Sequence, residues 1–122
     1  MNEKTILVIE DNDLNMKLIR ALLKLKNYQT IEAVDAETGI QLAREHHPDL
    51  ILMDIQLPGM DGLTATRVIK NDSAMKDIPV VALTGDVMQV DDKKTGDAGF
   101  ASYLAKPIDT RSFLESIDRV LG

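Results

Sequence analysis

The segment LILMDIQLPGMDG, residues 50–62, decides how the rest of the chain is interpreted. It begins with four apolar residues, which are too few for a helix and are typical of a strand buried on both faces. Asp54 follows at once, and a loop rich in glycine and proline comes next. Because ligands of open α/β sheets bind at the carboxyl ends of the strands, Asp54 is the first candidate for a reactive group.

The composition narrows the class of protein. The chain has 122 residues, a net charge of −6 and no cysteine. This length predicts a single domain, residues 1–122, with a core of its own. The acidic balance argues against nucleic-acid binding, which requires clustered Lys and Arg, and no apolar run approaches the roughly 18 residues of a membrane span. Without a signal-peptide pattern or disulfides, we expect a cytoplasmic protein with neither a nucleic-acid nor a membrane partner.

Short apolar runs alternate with helical patterns along the chain. The predicted strands cover residues 5–9, 28–34, 50–53, 78–83 and 101–105. The helical patterns lie at residues 13–26, between Asp35 and His46, after Gly62, at residues 87–98 and after Asp109. Five strands alternating with five helices predict an α/β fold, a parallel sheet covered on both faces, with right-handed connections. The chain ends just after the last helix, so we expect no separate output domain.

Apolar spacing predicts the inner face of each helix. The residues expected to face the core are Leu14, Leu18, Leu22 and Leu25 in the first helix, with Ile19 beside them, Ile40 and Ala43 in the second, Ala65, Val68 and Ile69 in the third, and Phe113, Leu114, Ile117 and Leu121 in the last. Asp35 and Asp109 are expected to cap the helices that follow them, and Asp61 is expected to cap its loop.

Polar residues follow four of the five predicted strands. They are Glu10 and Asp11 after the first strand, Asp54 after the third, Thr84 after the fourth and Lys106 after the fifth. The carboxyl ends of parallel strands lie at one edge of the sheet, so these side chains should converge. A single Asp at a strand end is most often a helix cap, but five such residues at one edge indicate a site.

The charges of this set favour a particular chemistry. Two like charges ~4 Å apart repel by roughly 1–4 kcal/mol, so three carboxylates in one pocket invite a cation. Oxygen ligands without Cys or His suit a hard ion such as Mg²⁺. Lys106 adds a fixed positive charge and Thr84 a hydroxyl donor. The pocket is therefore suited to receive a phosphoryl group, with Asp54 as the nucleophile and with the metal and Lys106 neutralising the phosphoryl oxygens.

These residues resemble the receiver domain of two-component response regulators. The matching positions are Glu10-Asp11, Met53-Asp54, residues 58–62, Thr84 and Lys106-Pro107, and their order and spacing cover essentially the whole chain. The resemblance implies a flavodoxin-like (βα)5 doubly wound sheet with strand order 2-1-3-4-5. It also implies a phosphoacceptor for signalling rather than an enzyme. Two subgroups are most similar, the receivers of hybrid kinases and the single-domain cell-division regulators, and we expect a stand-alone response regulator.

The resemblance also implies a donor and a cofactor. The phosphoryl group would come from a phosphohistidine on a histidine kinase or a histidine phosphotransfer protein. Asp11, Asp54 and the backbone carbonyl of Gln56 correspond to the ligands of Mg²⁺. Glu10 corresponds to the acid that supports the metal through water.

A further set of residues corresponds to the family's conformational switch. Thr84 and Tyr103 match the residues that report phosphorylation, and the Lys106–Pro107 peptide is expected to be cis. The downstream protein target would bind the face made by helix 4 (residues 87–98), strand 5 and helix 5, the last helix. Gly85 departs from the family, which more often has Ala there, and it loosens the loop beside Thr84.

Other functions fit parts of the pattern. A phosphohydrolase of the Asp-x-Asp type needs a second acid where this chain has Gln56. A flavin-binding electron carrier could share the fold, but no glycine-rich phosphate loop follows the first strand and aromatic residues make up only 3%. A nucleotide-binding P-loop motif is absent. A receiver that only binds a partner, without phosphorylation, is disfavoured by the intact set of acids, Thr84 and Lys106.

Overall fold

Strands and helices alternate from the first residues of the chain. The computed structural model describes residues 4–57, 59–85, 99–106 and 108–122. In chain order the elements are β1 (Thr5–Ile9), α1 (Asp13–Leu25), β2 (Gln29–Ala33), α2 (Ala36–His46), β3 (Leu50–Asp54), α3 (Gly62–Lys70), β4 (Val80–Thr84), β5 (Ser102–Ala105) and α4 (Thr110–Leu121). The helix predicted at residues 87–98 lies outside the described residues.

The five strands form one parallel sheet in the order β2-β1-β3-β4-β5. Residues of β1, β3 and β4 beyond Thr5 are all buried, as expected for central strands covered by helices on both faces. The register pairs Ile9 with Met53 and Thr84 with Ala105. The carboxyl ends of these strands therefore lie at one edge, and the predicted flavodoxin-like arrangement is confirmed.

Each face of the sheet has its own apolar core, because successive side chains of a strand point to opposite faces. One core packs strand residues against α2 and α3, and its members include Leu7, Ile9, Ile51, Met53, Ile40 and Ile69. The other packs strand residues against α1 and α4, and its members include Ile6, Val8, Leu52, Leu83, Ile19 and Phe113. The two cores hold the helices on opposite sides and leave the carboxyl edge open.

A polar side chain caps the start of each described helix. In every case the side chain accepts a hydrogen bond from the backbone N–H three residues later, which satisfies a donor that the helix itself leaves free. The caps and their donors are Asn12 with Asn15, Asp35 with Thr38, Asp61 with Thr64, and Asp109 with Ser112. The helix caps predicted at Asp35 and Asp109 are confirmed, whereas Asp61, predicted to cap its loop, caps the helix α3.

The predicted inner face of α1 is confirmed at Leu22 and at the adjacent Ile19, but it is wrong at the other three leucines. Leu14 is 76% exposed, Leu18 41% and Leu25 70%, whereas Met16, Ile19, Leu22 and Leu23 are buried. The helix carries two apolar stripes, and spacing alone does not choose between them. At the start of the helix Asn12 provides the cap, and the Asn15 side chain donates to Glu10 at 3.4 Å; both contacts accompany the observed rotation.

The predicted inner face of α3 also needs one correction. Val68 is 38% exposed, and the buried positions are Gly62, Ala65, Thr66 and Ile69. Thr66 tolerates burial because its hydroxyl donates to the carbonyl oxygen of Gly62 at 2.7 Å. A hydroxyl satisfied within its own helix can replace an apolar side chain at the core.

Candidate functional site

Three carboxylates meet at the carboxyl edge of the sheet. Glu10 follows β1 directly, Asp11 is the next residue, and Asp54 is the last residue of β3. One oxygen from each lies within 4.8 Å of the others. Glu10 is 1% and Asp54 2% exposed, while Asp11 lies open to solvent. The predicted convergence of these acids is confirmed.

Both oxygens of Asp54 have defined partners. Oδ1 accepts a hydrogen bond from the backbone N–H of Gln56 at 2.9 Å, and Oδ2 accepts one from Lys106 Nζ at 2.9 Å. Close packing behind the carboxylate depends on Gly62, because a Cβ there would lie 2.6 Å from the Asp54 carbonyl oxygen and from Ile55 Cα. The start of α3 thus rests against the backbone that carries Asp54.

Lys106 brings the positive charge that the sequence predicted. Its backbone N–H donates to the Thr84 carbonyl at 2.8 Å, and this continues the β4–β5 pairing by one residue. Its side chain is 18% exposed, and Nζ lies 3.1 Å from Glu10 Oε2 as well as 2.9 Å from Asp54 Oδ2. Burial opposes the charged form, but the Asp54 and Glu10 carboxylates outweigh it and raise the pKa of Lys106.

Glu10 is buried beside the Asp54 carboxylate and the Lys106 ammonium. Oε1 accepts from the Asn12 N–H at 3.1 Å and from Asn15 Nδ2 at 3.4 Å. Oε2 lies beside Lys106 without the geometry of a hydrogen bond, and it is buried with no hydrogen-bond partner among the described residues. Burial, and then the nearby Asp54 charge, raise the pKa of Glu10 although Lys106 opposes the shift. Three carboxylates and one ammonium leave the pocket with an excess of negative charge.

Thr84 and Tyr103 lie on neighbouring strands beside this pocket. Thr84 ends β4, is 2% exposed and pairs with Ala105 of β5. Tyr103 lies two residues earlier on β5 and is half-buried. Its ring packs against Phe100, with the ring centroids 5.9 Å apart. The structure therefore places Thr84 at the edge that holds the acids, and Tyr103 two residue pairs back from that edge, opposite Ala82.

Two contributors were not predicted from the sequence. Asn15 reaches back from the first turn of α1 to Glu10, and the Gln56 side chain lies against Gly85. The spacing of Asn12 and Asn15 is that of a helix cap, which was the available signal for the first contact. Pro107 and the conformation of the Lys106–Pro107 peptide lie outside the described residues.

The donor set suits a magnesium ion. All its ligand atoms are oxygens, which hard divalent cations prefer, and the cluster mixes buried and open carboxylates. The buried oxygen of Glu10 that lacks a hydrogen bond, together with the excess negative charge, gives a cation a clear electrostatic role. The residues present therefore fit such an ion.

A family comparison identifies this arrangement. The family model for the response regulator receiver domain matches residues 6–118. The chain belongs to this family. No described helix combines the length and apolar character that crossing a membrane requires.

Curated relatives and solved structures agree with this assignment. The chain is 44% identical over 119 residues to the polar-differentiation response regulator DivK of Brucella ovis, covering 98% of this chain and 97% of that protein. Among solved structures, the receiver domain of the sensor histidine kinase PA1611 from Pseudomonas aeruginosa is 33% identical, with a TM-score of 0.91 over 99% of both chains. That structure has a magnesium ion coordinated in its active-site cleft. A putative response regulator from Chloroflexus aurantiacus is 26% identical, with a TM-score of 0.91 over 98% of both chains.

Proposed function

We propose that this receiver domain accepts a phosphoryl group on Asp54 from a phosphohistidine, in a Mg²⁺-dependent reaction, and thereby regulates a protein partner. The donor would be a histidine kinase or a histidine phosphotransfer protein, and the chain would act as a stand-alone response regulator, residues 1–122. One observation carries this proposal. Asp54 ends a central strand, with Lys106 Nζ 2.9 Å from Oδ2 and two further carboxylates within 4.8 Å.

The transfer exchanges one bond to phosphorus for another. An Asp54 carboxylate oxygen attacks the phosphorus, and the phosphorus–nitrogen bond to the donor imidazole breaks. The electron pair of that bond goes to the imidazole nitrogen, which then takes up a proton. Lys106 lies beside the attacking Asp54 carboxylate and neutralises charge on the phosphoryl oxygens. The Gln56 N–H holds the carboxylate in place through Oδ1.

Asp11, Asp54 and the Gln56 carbonyl would hold the metal, with Glu10 supporting it through water. The N–H of Gln56 already bonds to Asp54, which keeps this peptide beside the carboxylate. When bound, Mg²⁺ would supply positive charge to neutralise the phosphoryl oxygens. Lys106 is a second, fixed positive charge beside Asp54 and Glu10.

The signal would pass through Thr84 and Tyr103 to a downstream target. A phosphoryl group on Asp54 offers the Thr84 hydroxyl a charge-assisted hydrogen bond, and inward movement of Thr84 leaves space for Tyr103. The output face would combine β5 and α4 with residues 87–98. Hydrogen exchange with and without a stable phosphoryl mimic tests this route. Protection should change in Ser102–Ala105 of the wild type and much less in Thr84→Ala.

Intact-mass measurement after incubation with acetyl phosphate and Mg²⁺ tests the central claim. The wild type should gain one phosphoryl group, and Asp54→Asn should gain none. The matched control is Asp61→Asn, which changes an exposed aspartate on the same loop to another good capping residue. This control should be phosphorylated like the wild type. An adduct at full yield in Asp54→Asn would contradict the assignment of Asp54.

A second arm tests the donor class. A phosphorylated histidine phosphotransfer domain should pass its label to the wild type and not to Asp54→Asn. Chelation of Mg²⁺ should stop the transfer in both arms. Transfer that continues unchanged after chelation would refute the metal dependence while leaving the phosphoacceptor role intact.

A further inference from the structure

Helix α2 carries a glycine on its buried face, where it packs against the end of β1. If a Cβ were added to Gly39, it would lie 2.3 Å from Ile9 Cδ1, 2.7 Å from Cγ1 and 3.4 Å from Cγ2. The Ile9 side chain therefore fills the notch that the missing Cβ leaves in the helix. Glycine is less favourable than alanine inside a helix, so this contact has a cost in intrinsic helix stability.

Ile9 joins this notch to the acidic pocket. It is the last residue of β1 and fully buried, and Glu10 and Asp11 follow it directly. Its backbone is held on both sides, because it pairs with Ala33 of β2 and with Met53 of β3. The Glu10 N–H donates to the Ala33 carbonyl oxygen at 3.0 Å, which ties the backbone of the first acid to the same strand end. A shift of Ile9 would therefore carry the two acids with it.

We propose that Gly39 is a positioning residue for the metal site. The Ile9 side chain seated against it fixes the end of β1, from which Glu10 and Asp11 extend. This inference rests on the proposed binding of Mg²⁺ by the pocket. Gly39 has no side chain that could reach the pocket, so it acts through Ile9. The distance of α2 from the sheet thereby sets the geometry in which the two acids are presented to a cation.

A methyl group at position 39 is not accommodated by a simple rotation of the Ile9 side chain. Turning χ2 moves Cδ1 away, but Cγ1 at 2.7 Å stays too close. Turning χ1 moves Cγ1, but isoleucine has a second carbon on its Cβ, and Cγ2 already lies 3.4 Å from the same place. The side chain belongs to a core cluster, where close packing opposes a larger shift. We therefore expect alanine at position 39 to displace the end of β1 together with Glu10 and Asp11.

The first test needs neither metal nor phosphate. In Gly39→Ala, the backbone amide resonances of Glu10 and Asp11 should shift relative to the wild type. The Glu10 amide proton reports directly on the end of β1, because it donates to the Ala33 carbonyl oxygen. Gln41→Ala on the exposed face of α2 is the matched control and should leave both resonances unchanged. Resonances of Glu10 and Asp11 that do not move in Gly39→Ala would overturn the inference.

The second test compares metal affinity with stability. Mg²⁺ alone is titrated into each folded protein, and urea denaturation gives the free energy of unfolding. In Gly39→Ala the affinity for Mg²⁺ should fall about fivefold, less than for a residue that contacts a metal ligand directly. The double variant Gly39→Ala/Ile9→Val should recover most of this loss, because valine lacks Cδ1 and the pair keeps the same number of carbon atoms as the wild type. Gln41→Ala should bind Mg²⁺ like the wild type.

The outcomes separate a positioning role from a merely structural one. A changed free energy of unfolding in Gly39→Ala with unchanged Mg²⁺ affinity would overturn the proposal, and so would a double variant that binds no better than Gly39→Ala.

A third variant covers the case in which Gly39→Ala does not fold. Ile9→Val alone removes Cδ1 from the notch without adding a clash, and its Mg²⁺ affinity should fall about twofold because the contact is partly emptied. An affinity equal to that of the wild type would then overturn the role of the notch. If the wild type binds no Mg²⁺, the proposed metal dependence fails, and the positioning role fails with it even where the Glu10 and Asp11 resonances respond to Gly39→Ala.

Discussion

The two ends of the sheet hold charge clusters of opposite character. At the carboxyl end, Glu10, Asp54 and Lys106 are largely buried and their charges do not balance. At the amino end, the Tyr28 hydroxyl donates to Asp118 Oδ1, and Lys26 Nζ lies 3.4 Å from Asp118 Oδ2. This second cluster ties the turn before β2 to the last helix.

In the second cluster, both carboxylate oxygens of Asp118 have a partner. Asp118 receives one bond from a hydroxyl and one charge contact from an ammonium. Burial, and then the bond to Asp118, raise the pKa of Tyr28 to about 12, so the hydroxyl stays protonated at neutral pH. The carboxyl end instead contains an oxygen of Glu10 without a hydrogen bond. The cluster at the amino end therefore contributes to stability. The cluster at the carboxyl end has an excess of negative charge that a bound cation can neutralise.

Removing the lysine from the carboxyl end should give the largest effect. Lys106→Met leaves two buried carboxylates without their cation, so phosphorylation should slow by about a hundredfold or more. Stability without metal at neutral pH should fall by about 2 kcal/mol, less than for a fully buried pair because Lys106 is partly exposed. The affinity for Mg²⁺ should rise, since a competing positive charge is gone. Intact mass, urea unfolding and metal titration measure the three quantities.

The matched control for this variant is Lys17→Met. Lys17 pairs with Asp13 on the open surface of α1, with both side chains more than half exposed. Its removal should change stability by only a few tenths of a kcal/mol and leave phosphorylation unchanged. Similar losses in the two variants would mean that general surface charge, rather than the pocket, sets the rate.

Asp11→Ala should separate metal binding from folding. Asp11 is exposed, so its removal should barely change the free energy of unfolding, while the affinity for Mg²⁺ should fall by about tenfold or more. Stability without metal can rise slightly because one repelling charge is lost. Titration of Mg²⁺ into the folded protein gives the affinity. Asp13→Ala is the control, and unchanged affinity in Asp11→Ala would rule out this ligand set.

Tyr28→Phe should weaken the amino end alone. Loss of the bond to Asp118 should cost about 1 kcal/mol of unfolding free energy, as measured by urea denaturation. Metal affinity and phosphorylation should not change, because the two clusters lie at opposite ends of the strands. A drop in Mg²⁺ affinity in this variant would show that the clusters at the two ends of the sheet are energetically coupled.

The effect expected furthest from neutral pH is an alkaline loss of stability. A tyrosine in the unfolded chain releases its proton near pH 10, but Tyr28 in the fold holds its proton to about pH 12. The stabilisation of the fold by the protonated Tyr28 hydroxyl is therefore fully present below about pH 10 and is lost as the pH rises toward 12. In urea denaturation across this pH range, the free energy of unfolding should decline more steeply in the wild type than in Tyr28→Phe. Parallel curves for the two proteins would contradict the raised pKa.

The sequence predicted the fold and the centre of the pocket because both depend on local patterns. Apolar runs marked the buried strands, and the residue after each run marked the shared edge. Glu10, Asp54 and Lys106 could be assigned to one site because a parallel sheet aligns the ends of its strands. No interaction between particular side chains had to be known for that step.

The remaining features depend on contacts that local patterns do not encode. The rotation of α1 was predicted wrongly at three leucines, because two apolar stripes compete and the choice between them depends on packing against the rest of the fold. Tyr28 and Asp118 are 90 positions apart, and nothing in either segment indicates the other. The Gln56–Gly85 contact depends on the absence of a side chain, which sequence patterns reveal only when the neighbouring loop is known.

Gly62 limits which sequences this loop can accept. A Cβ at that position would lie 2.6 Å from the Asp54 carbonyl oxygen and 2.6 Å from Ile55 Cα. Both of these are backbone atoms, so no side-chain rotation relieves the clash. The exposed Asp61 beside it is limited in another way, because its side chain caps α3 by accepting a bond from the Thr64 N–H. In a saturation library selected for phosphorylation, position 62 should therefore accept glycine alone, while position 61 should also accept other capping residues such as Asn and Ser. The position of the Asp54 backbone thus depends on the absence of a Cβ at position 62, a residue with no part in the proposed chemistry.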